Sequence, residues 1–237
     1  MVNVLCMKWG TKYGPEYVNR LFHMVQRNLS LPFRFTCLTD DTTGLEAGIE
    51  TLPIPEIEIP ARHAHSPWRK LTLFSERLGD LQGKALFLDL DLIILQPIDD
   101  FFSYSEKFSI IENWSQRGRG IGNSSVYCFE IGGHPEVLAY YHQHSAEVLQ
   151  RHSNEQIYLS RKIGDIDFWP PTWCRSFKYH AIPHGPMRYF KSPRIPEGCR
   201  ILVFHGHPNP DAAMIGDYRG RWRKYFKPAP WIGSYWY

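Results

Sequence analysis

The opening of the chain predicts a strand, a helix and a second strand, and this unit constrains the fold more than any other feature. Residues 3–7 are typical of a strand, and a turn at Gly14-Pro15 leads into a helix over about 16–29 with one apolar face. Residues 33–38 predict the second strand. Such a unit closes by a right-handed crossover between parallel strands, so we expect an α/β fold.

Residues 84–88 are almost wholly apolar, the pattern of a central strand covered on both faces. Ser66 and Pro67 suit the N-cap and first position of a helix. That helix is predicted to pack through Trp68, Leu71, Phe74 and Leu78. The remaining predicted elements are strands at 108–111, 124–131 and 201–204, and helices at 135–150 and 154–163.

Composition is consistent with one globular catalytic domain. Of 237 residues, 43% are hydrophobic and 22% charged, enough to build a core. We expect residues 1–215 to form the domain and residues 216–237 to form a tail. The net charge of +3 is too small to indicate nucleic-acid binding. The longest apolar run, 85–95, is interrupted by two aspartates, and a membrane span needs about 20 apolar residues, so any membrane contact should be peripheral.

The cysteines and the N-terminus predict a cytoplasmic location. Five cysteines are widely spaced, odd in number and form no CxxC pair, which argues against a disulfide framework or a zinc knuckle. The N-terminus has no basic start followed by a continuous apolar stretch, as a signal peptide would. The cysteines are Cys6, Cys37, Cys128, Cys174 and Cys199.

Asp89-Leu90-Asp91 places two carboxylates where the apolar strand ends. Ligands of open α/β sheets bind at the carboxyl ends of strands. Alternate residues can point to one side there, so both carboxylates could reach one divalent cation, Mn²⁺ or Mg²⁺, that also holds a diphosphate. Acidic residues that merely solvate a strand end are the alternative. Apolar residues both precede and follow the pair, however, and few solvated turns have such neighbours.

A phosphatase of the haloacid dehalogenase type also begins with an apolar strand and Asp-x-Asp, and would use Asp89 as its nucleophile. That family places Thr or Val two residues after the second aspartate, near the start of the fold. This chain has Ile93 there, after a complete strand-helix-strand unit. The departure weighs against the phosphatase hypothesis.

A second candidate group follows the last predicted strand. The imidazole of His205 suits Mn²⁺, and Gly206 beside it lets the backbone approach a phosphate. A simple surface turn is the alternative. His63-x-His65 and His142-x-His144 are expected in a loop and on a helix, respectively.

The order of these features over residues 3–210 resembles GT-A glycosyltransferases of the glycogenin and bacterial lipooligosaccharide galactosyltransferase type. The shared features are the Asp-x-Asp after a strand, an Asn-Ser-Ser strand, an acidic residue and Gln at a helix start, and the His-Gly-x-Pro run. The resemblance implies a Rossmann-like, nucleotide-binding single domain with a mixed central sheet. It also implies transfer from a UDP-sugar to a hydroxyl acceptor, with retention of configuration.

The resemblance implies roles for individual residues. Asp89 and Asp91 would bind the metal, with Asp91 the firmer ligand and His205 the third. Asp91 would also be catalytic, and Glu155 and Gln156 would lie near the reacting sugar carbon. Donor contacts would come from Met7, Lys8, Trp9, Thr39, Asp40, Lys70, Asp89, Asn123, Ser124 and Gly206.

The role of Gln156 and the replacement for the family's lysine at position 209 both stay open at this point. Ser153-x-x-Gln156 also matches a capping box, in which Gln156 would fold back onto the helix start. Asn209 departs from the family, which commonly has a lysine there that reaches the diphosphate. Lys8, Lys70 or a C-terminal arginine are the candidates to replace that contact.

Residues 216–237 combine five basic and eight aromatic residues with a single acid, Asp217. This composition suits an anionic membrane surface, where each cation contributes about 1 kcal/mol, and would fit a lipid-linked glycan acceptor at the inner membrane face. Alternatively, the tail folds over the domain, with tryptophans in apolar grooves and arginines over the diphosphate. The basic residues are Arg219, Arg221, Arg223, Lys224 and Lys227.

The sequence therefore predicts a metal-dependent glycosyltransferase with a nucleotide-sugar donor and a glycan or lipid-linked glycan acceptor. Two other classes stay open: the phosphatase that uses Asp89, and a catalytically silent module that binds a nucleotide-sugar or a glycan.

Overall fold

The computed structural model describes residues 1–64, 66–220 and 222–237. The described residues form two sheets with helices on both faces of the larger one. The strands are β1 (Val2–Lys8), β2 (Phe33–Thr39), β3 (Glu50–Leu52), β4 (Lys84–Leu88), β5 (Leu92–Ile94), β6 (Phe108–Glu112), β7 (Gly122–Glu130), β8 (Ile166–Phe168), β9 (Cys174–Ser176) and β10 (Ile201–Val203).

The helices lie between these strands and after them. No described helix is both long and apolar enough to cross a membrane. The α-helices are α1 (Pro15–Asn28), α2 (Asp100–Ser103), α3 (Glu136–Arg151), α4 (Glu155–Ile163) and α5 (Pro210–Ile215). Short 3-10 helices span Ala61–His63, Pro67–Phe74, Gly185–Tyr189, Trp222–Lys224 and Pro230–Ser234, and a π-helical turn spans Phe177–Ala181.

Across the described residues, the larger sheet has seven strands in the order β3-β2-β1-β4-β7-β6-β8. Strands β3, β2, β1 and β4 are parallel, β7 is antiparallel to β4 and β6, and β8 is parallel to β6. The predicted parallel pairing of β1 with β2 is confirmed, with Lys8 opposite Thr39 at the carboxyl ends. The described part of the smaller sheet has the order β5-β10-β9.

Alternating strand residues build a core on each face of the larger sheet. On β1, Val4 and Cys6 belong to one core, whereas Leu5 and Met7 belong to the other. The residues of β4 alternate in the same way and are at most 1% exposed from Ala85 to Leu88, which confirms the predicted central strand. The five cysteines are unpaired and buried.

The helix predicted from Pro67 differs from the one found. Pro67–Phe74 is a 3-10 helix, and Leu78 lies beyond its end. Its buried residues Trp68, Leu71 and Phe74 recur every third position, which matches the three residues per turn of a 3-10 helix. Because a three-residue spacing fits both kinds of helix over so short a length, this spacing does not distinguish them.

The C-terminal segment 216–237 folds back onto the core that α1 covers. Phe226, Ala229, Ile232 and Trp236 are at most 3% exposed there. The Trp236 ring meets Tyr17 of α1 edge-on, with 5.2 Å between centroids. Of the predicted tail cations, Arg221 and the side chain of Arg223 lie outside the described residues. Phe226 and Trp236 thus supply core packing, whereas Trp222 and Tyr237 are exposed.

Replacing Trp236 by alanine should lower the free energy of unfolding by about 3–5 kcal/mol, since it removes a buried indole from a packed site. Denaturant unfolding measures the change. Ile215→Ala is the control, because Ile215 is 74% exposed and its loss should stay within about 0.5 kcal/mol. Equal effects of the two substitutions would contradict the packing of the C-terminal segment.

Candidate functional site

Asp89 leaves β4 at the point where the chain bends toward the smaller sheet. Its N–H donates to the Ser125 carbonyl on β7 at 2.9 Å. The Lys70 ammonium lies 2.6 Å from Asp89 Oδ1 and also donates to the Ser124 carbonyl at 3.1 Å. Because Lys70 is only 7% exposed, this ion pair is shielded from solvent.

Asp91 lies two residues further on and is 7% exposed. Burial and then the charge of Asp89 raise the pKa of its carboxyl to about 6, while Tyr13, Lys12 and Lys70 oppose the shift. The Tyr13 hydroxyl donates to Asp91 Oδ2 at 2.7 Å. Tyr13 follows β1 and was not among the predicted site residues. Its place in the loop at the carboxyl end of β1 is the signal that could have found it.

Glu155, the first residue of α4, is buried in the same site at 2% exposure. Its carboxylate accepts a hydrogen bond from Ser124 Oγ at 2.5 Å. Burial raises the pKa of Glu155, and the charge of Lys70 opposes that shift. One buried ammonium therefore faces the carboxylates of Asp89, Asp91 and Glu155.

Gln156 contacts β7 and does not fold back onto the start of its own helix. The N-cap of α4 is Asn154, whose side chain accepts from the Ile157 N–H at 3.1 Å. Gln156 Oε1 accepts from the Ser124 N–H at 3.4 Å and from Asn123 Nδ2 at 3.5 Å. The capping-box hypothesis for Ser153 and Gln156 is therefore wrong, because Asn154 occupies the capping position.

The residues predicted to contact the nucleotide lie together at the ends of β1 and β2. Met7 and Lys8 end β1 beside Thr39 of β2, and all three are buried. Gly10 directly follows Trp9, and its N–H donates a hydrogen bond to the Asp40 carboxylate at 3.0 Å. Gly10 has φ +60, which favours glycine at this turn.

His205 is not placed with the two aspartates as a metal ligand in this structure. Its Nε2 lies 2.7 Å from Ser176 Oγ, and its ring stacks on Trp114 with 5.7 Å between centroids. Burial, followed by the charge of Lys178, lowers the pKa of His205 to about 4. Among residues 1–64, 66–220 and 222–237, no group of three or more His, Cys, Asp or Glu side chains is placed to hold one metal ion.

The two aspartates by themselves fit a hard divalent cation. Both candidate ligands are carboxylates. Burial and then the charge of Asp89 raise the pKa of Asp91, and a cation would relieve the repulsion between the two carboxylates. Asp89 and Asp91 stay the candidate ligands, whereas His205 is held by Ser176 and its aromatic neighbours.

Asn209, where the resembling family commonly has a lysine, lies in the turn after β10. Asn209 caps α5 by accepting from the Ala212 N–H, and its Nδ2 donates to the Tyr17 hydroxyl at 2.8 Å. A lysine from another segment lies nearby: Lys178 Nζ is 3.5 Å from the position that a Cβ on Gly206 would occupy. Lys178 also donates to the His205 carbonyl. Sequence reasoning missed Lys178, since no pattern links it to this turn.

The other histidine pairs do not join the site. His142 and His144 lie on α3, as predicted, and α3 departs from helical geometry at His144. His63 ends a short 3-10 helix, and His65 lies outside the described residues.

The fold is shared with solved glycosyltransferases, although no family model and no curated protein matches the sequence. Galactosyltransferase LgtC, solved with donor and acceptor sugar analogues, superposes with a TM-score of 0.64 at 12% identity, over 98% of this chain and 96% of that chain. An active-site Gln-to-Glu variant of LgtC gives 0.61 at 13% identity, over 88% and 89%. Glycosyltransferase GlyE of Streptococcus pneumoniae TIGR4 gives 0.62 at 14% identity, over 89% of this chain and 56% of that one.

These likenesses establish the class of fold. The mixed seven-stranded sheet in the described residues, together with the match to LgtC over nearly all of both chains, confirms the predicted single-domain GT-A fold. At such low identity these likenesses show the fold alone.

The buried carboxyl of Asp91 predicts a pH dependence of stability in protein kept free of divalent cations by a chelator. Its pKa in the folded state, about 6, exceeds the usual 3.8, so the folded state binds this proton more tightly. The Asp91 contribution should therefore be least unfavourable below pH 3.8 and should destabilise increasingly as the pH rises to about 6.

Urea unfolding of wild type and of Asp91→Asn across that range measures the difference. The advantage of the asparagine variant should grow with pH. Asp165→Asn, at a 76% exposed side chain, is the control and should follow wild type. Parallel curves for wild type and Asp91→Asn would contradict the assigned shift.

Proposed function

We propose that the protein is a glycosyltransferase that moves a sugar from a UDP-sugar to a hydroxyl of a glycan or lipid-linked glycan acceptor. One observation carries the proposal: Asp89, Asp91, Lys70 and Glu155 converge at the carboxyl ends of the strands, where α/β sheets bind ligands. The fold that holds them is shared over nearly its full length with a galactosyltransferase.

The donor would lie across the ends of β1 and β2. Lys8 is 4% exposed and lies 3.8 Å from Asp41, so its ammonium is already fixed at the end of the strand. Asp40 and the turn at Gly10 close the same edge. These groups suit a nucleotide whose diphosphate extends toward Asp89 and Asp91.

Asp89 and Asp91 would hold Mn²⁺ or Mg²⁺. When bound, such a cation offsets the charge that develops on the departing nucleoside diphosphate. Lys70, 2.6 Å from Asp89, supplies a fixed positive charge beside the same leaving group. The Tyr13 hydroxyl orients the Asp91 carboxylate through its hydrogen bond.

Glu155 and Gln156 would act on the sugar side of the site. Glu155 binds Ser124 Oγ and faces Lys70, so its role is to position the β7 segment that lines the sugar pocket. Gln156 Oε1 accepts its two hydrogen bonds at 3.4 and 3.5 Å, and such long bonds leave it able to turn toward the reacting carbon as positive charge develops there. Retention of configuration, which the family resemblance implies, is part of the proposal.

Incubating the protein with a panel of nucleotide-sugars and candidate acceptors, followed by mass spectrometry, tests the proposed function. A sugar adduct, or slow donor hydrolysis without acceptor, supports it. An aspartyl-phosphate trapped at Asp89 would indicate the phosphatase instead. Tight UDP binding with neither transfer nor hydrolysis would indicate the silent binding module.

Asp91→Asn should weaken Mn²⁺-dependent UDP binding by at least about tenfold, because it removes a charged ligand from the cation. Calorimetry with and without Mn²⁺ measures the change. Asp165→Asn, on the surface beside Lys107, is the matched control and should bind UDP as wild type does. UDP binding that does not depend on Mn²⁺ and is unchanged in Asp91→Asn would contradict the proposed cation site.

Gln156→Glu separates a catalytic role from a structural one. A glutamate oxygen can still accept from the Ser124 N–H, and Asn154 still caps α4, so the melting temperature should not change. Turnover should fall, since a new carboxylate alters the charge facing the reacting carbon. The Gln-to-Glu variant of LgtC carries the same kind of substitution in its own active site, which makes the change a natural choice. Normal turnover would leave Gln156 a structural role only.

A further inference from the structure

A group of basic side chains that form no ion pair with a described carboxylate lies around His180 and His205. We call it the basic cluster and define it as Arg117, Arg175, Lys178, His180 and His184. Arg117 lies in the loop between β6 and β7, Arg175 on β9, and the other three in or just after the π-helical turn Phe177–Ala181. Separate segments of the chain thus bring like charges to one place.

Contacts around Ser176 tie the cluster together. The Ser176 N–H donates to His180 Nδ1 at 3.0 Å, and Ser176 Oγ lies 2.7 Å from His205 Nε2. The charges of Arg175, Arg117 and His184 all lower the pKa of His180, after burial as the main cause, so these groups are close enough to repel one another.

Of the described carboxylates, Asp91 acts on Lys178 from beyond ion-pair distance. Among described residues, no carboxylate forms an ion pair with Arg117, Arg175, Lys178 or His184. The Nε atom of Arg175 is buried and has no hydrogen-bond partner. Glu112, at the end of β6, lines one small cavity with Arg117, but its carboxylate accepts from the Gly118 N–H. Arg175 and Lys178 are partly buried, and holding such charges without an ion-pair partner is costly, so an anionic ligand would offset that cost.

Aromatic rings line the same place. Trp114 stacks on the His205 ring at 22°, and Tyr179 packs over that ring at 5.5 Å while staying 46% exposed. Trp114 also meets His180 edge-on at 6.1 Å. Aromatic faces beside cations offer apolar contact area together with charge, a combination that suits a sugar bearing an acidic group.

The cluster adjoins the proposed donor site through Lys178. Its Nζ lies over Gly206, and the charge of Asp91 opposes the lowering of the Lys178 pKa by burial and by Lys224. The aspartate end of the site already has basic side chains of its own, since Lys70 pairs with Asp89 and Lys12 acts on Asp91. Apart from Lys178, which adjoins Gly206, the basic cluster is therefore additional to what a single diphosphate requires.

We propose that the basic cluster binds a negatively charged group, a carboxylate or a phosphate, carried by the acceptor glycan. Assigning the anion to an acceptor rests on the proposed function, whereas the binding of an acidic glycan does not. An anionic membrane is the competing partner, because the described surface also includes an apolar side chain, Phe190, that is 73% exposed. Arg175 and Lys178 are half-buried, however, and a flat layer of headgroups reaches such recessed groups less well than a single sugar does.

The experiment uses the full chain without donor on an array of neutral, uronic-acid-containing and phosphorylated glycans, followed by calorimetry on the best binder and its neutral counterpart. The acidic glycan should bind at least about tenfold more tightly. Arg117→Gln and Arg175→Gln should each remove most of that preference, and added salt should weaken it. Arg77→Gln, an exposed arginine before β4 at the opposite end of that strand from Asp89, is the matched control and should change nothing.

Arg117 is exposed, so its variant should fold even if substitution of the partly buried Arg175 does not. Uronic and phosphorylated glycans separate the two kinds of anion, and either preference supports the proposal. Equal binding of neutral glycans, or an equal loss in Arg77→Gln, would overturn it. So would binding to phosphatidylglycerol vesicles that is lost in Arg117→Gln when acidic glycans do not bind.

UDP affinity with Mn²⁺, measured on Arg117→Gln, keeps the two proposals apart. It should equal that of wild type, because Arg117 belongs to the cluster and not to the aspartate end. Binding of acidic glycans without any sugar transfer would support the anion site and overturn only the proposed function. Sugar transfer without a preference for acidic glycans would do the reverse.

Discussion

The ion pair between Lys70 and Asp89 is the interaction on which the candidate site depends. A buried ammonium 2.6 Å from one carboxylate also opposes the raised pKa values of Asp91 and Glu155. Without that ammonium, three acidic groups would share a poorly solvated space, and their repulsion would favour protonation or an open structure. The position of Lys70 follows from the 3-10 helix Pro67–Phe74, whose three-residue repeat anchors Trp68, Leu71 and Phe74 in the core.

The site is assembled from both sheets. The larger sheet supplies the ends of β1, β2 and β4, and the smaller sheet continues directly from Asp91, whose carbonyl accepts from the Phe204 N–H at 3.0 Å. The C-terminal segment supports this junction, because Trp236 packs on Tyr17, and Tyr17 packs on Tyr13 at 4.7 Å. Tyr13 in turn donates to Asp91. The packing of Trp236 is thus linked, through Tyr17 and Tyr13, to the carboxylate of Asp91.

Much of the fold was predictable because local patterns carried it. Hydrophobic periodicity and the turn or capping residues beside each segment predicted the strand-helix-strand opening, the apolar β4 and α4. The two carboxylates after β4 were singled out because ligands of α/β sheets bind at the carboxyl ends of strands. The 3-10 form of Pro67–Phe74 was missed because a three-residue spacing fits both kinds of helix over so short a length. Gln156 was ambiguous since Ser153 and Asn154 both suit an N-cap, and only the backbone conformation selects Asn154.

The sequence by itself determined the class of fold and the position of Asp89 and Asp91 at the carboxyl end of β4, because each of these depends on residues close together in the chain. Only the tertiary structure decided that Tyr13 meets Asp91, that Lys178 lies over Gly206 and that His205 turns to Ser176. Those pairings join residues 28 to 78 positions apart. Contacts over such separations are set by how the sheets and the C-terminal segment pack, and no local pattern of side chains encodes them.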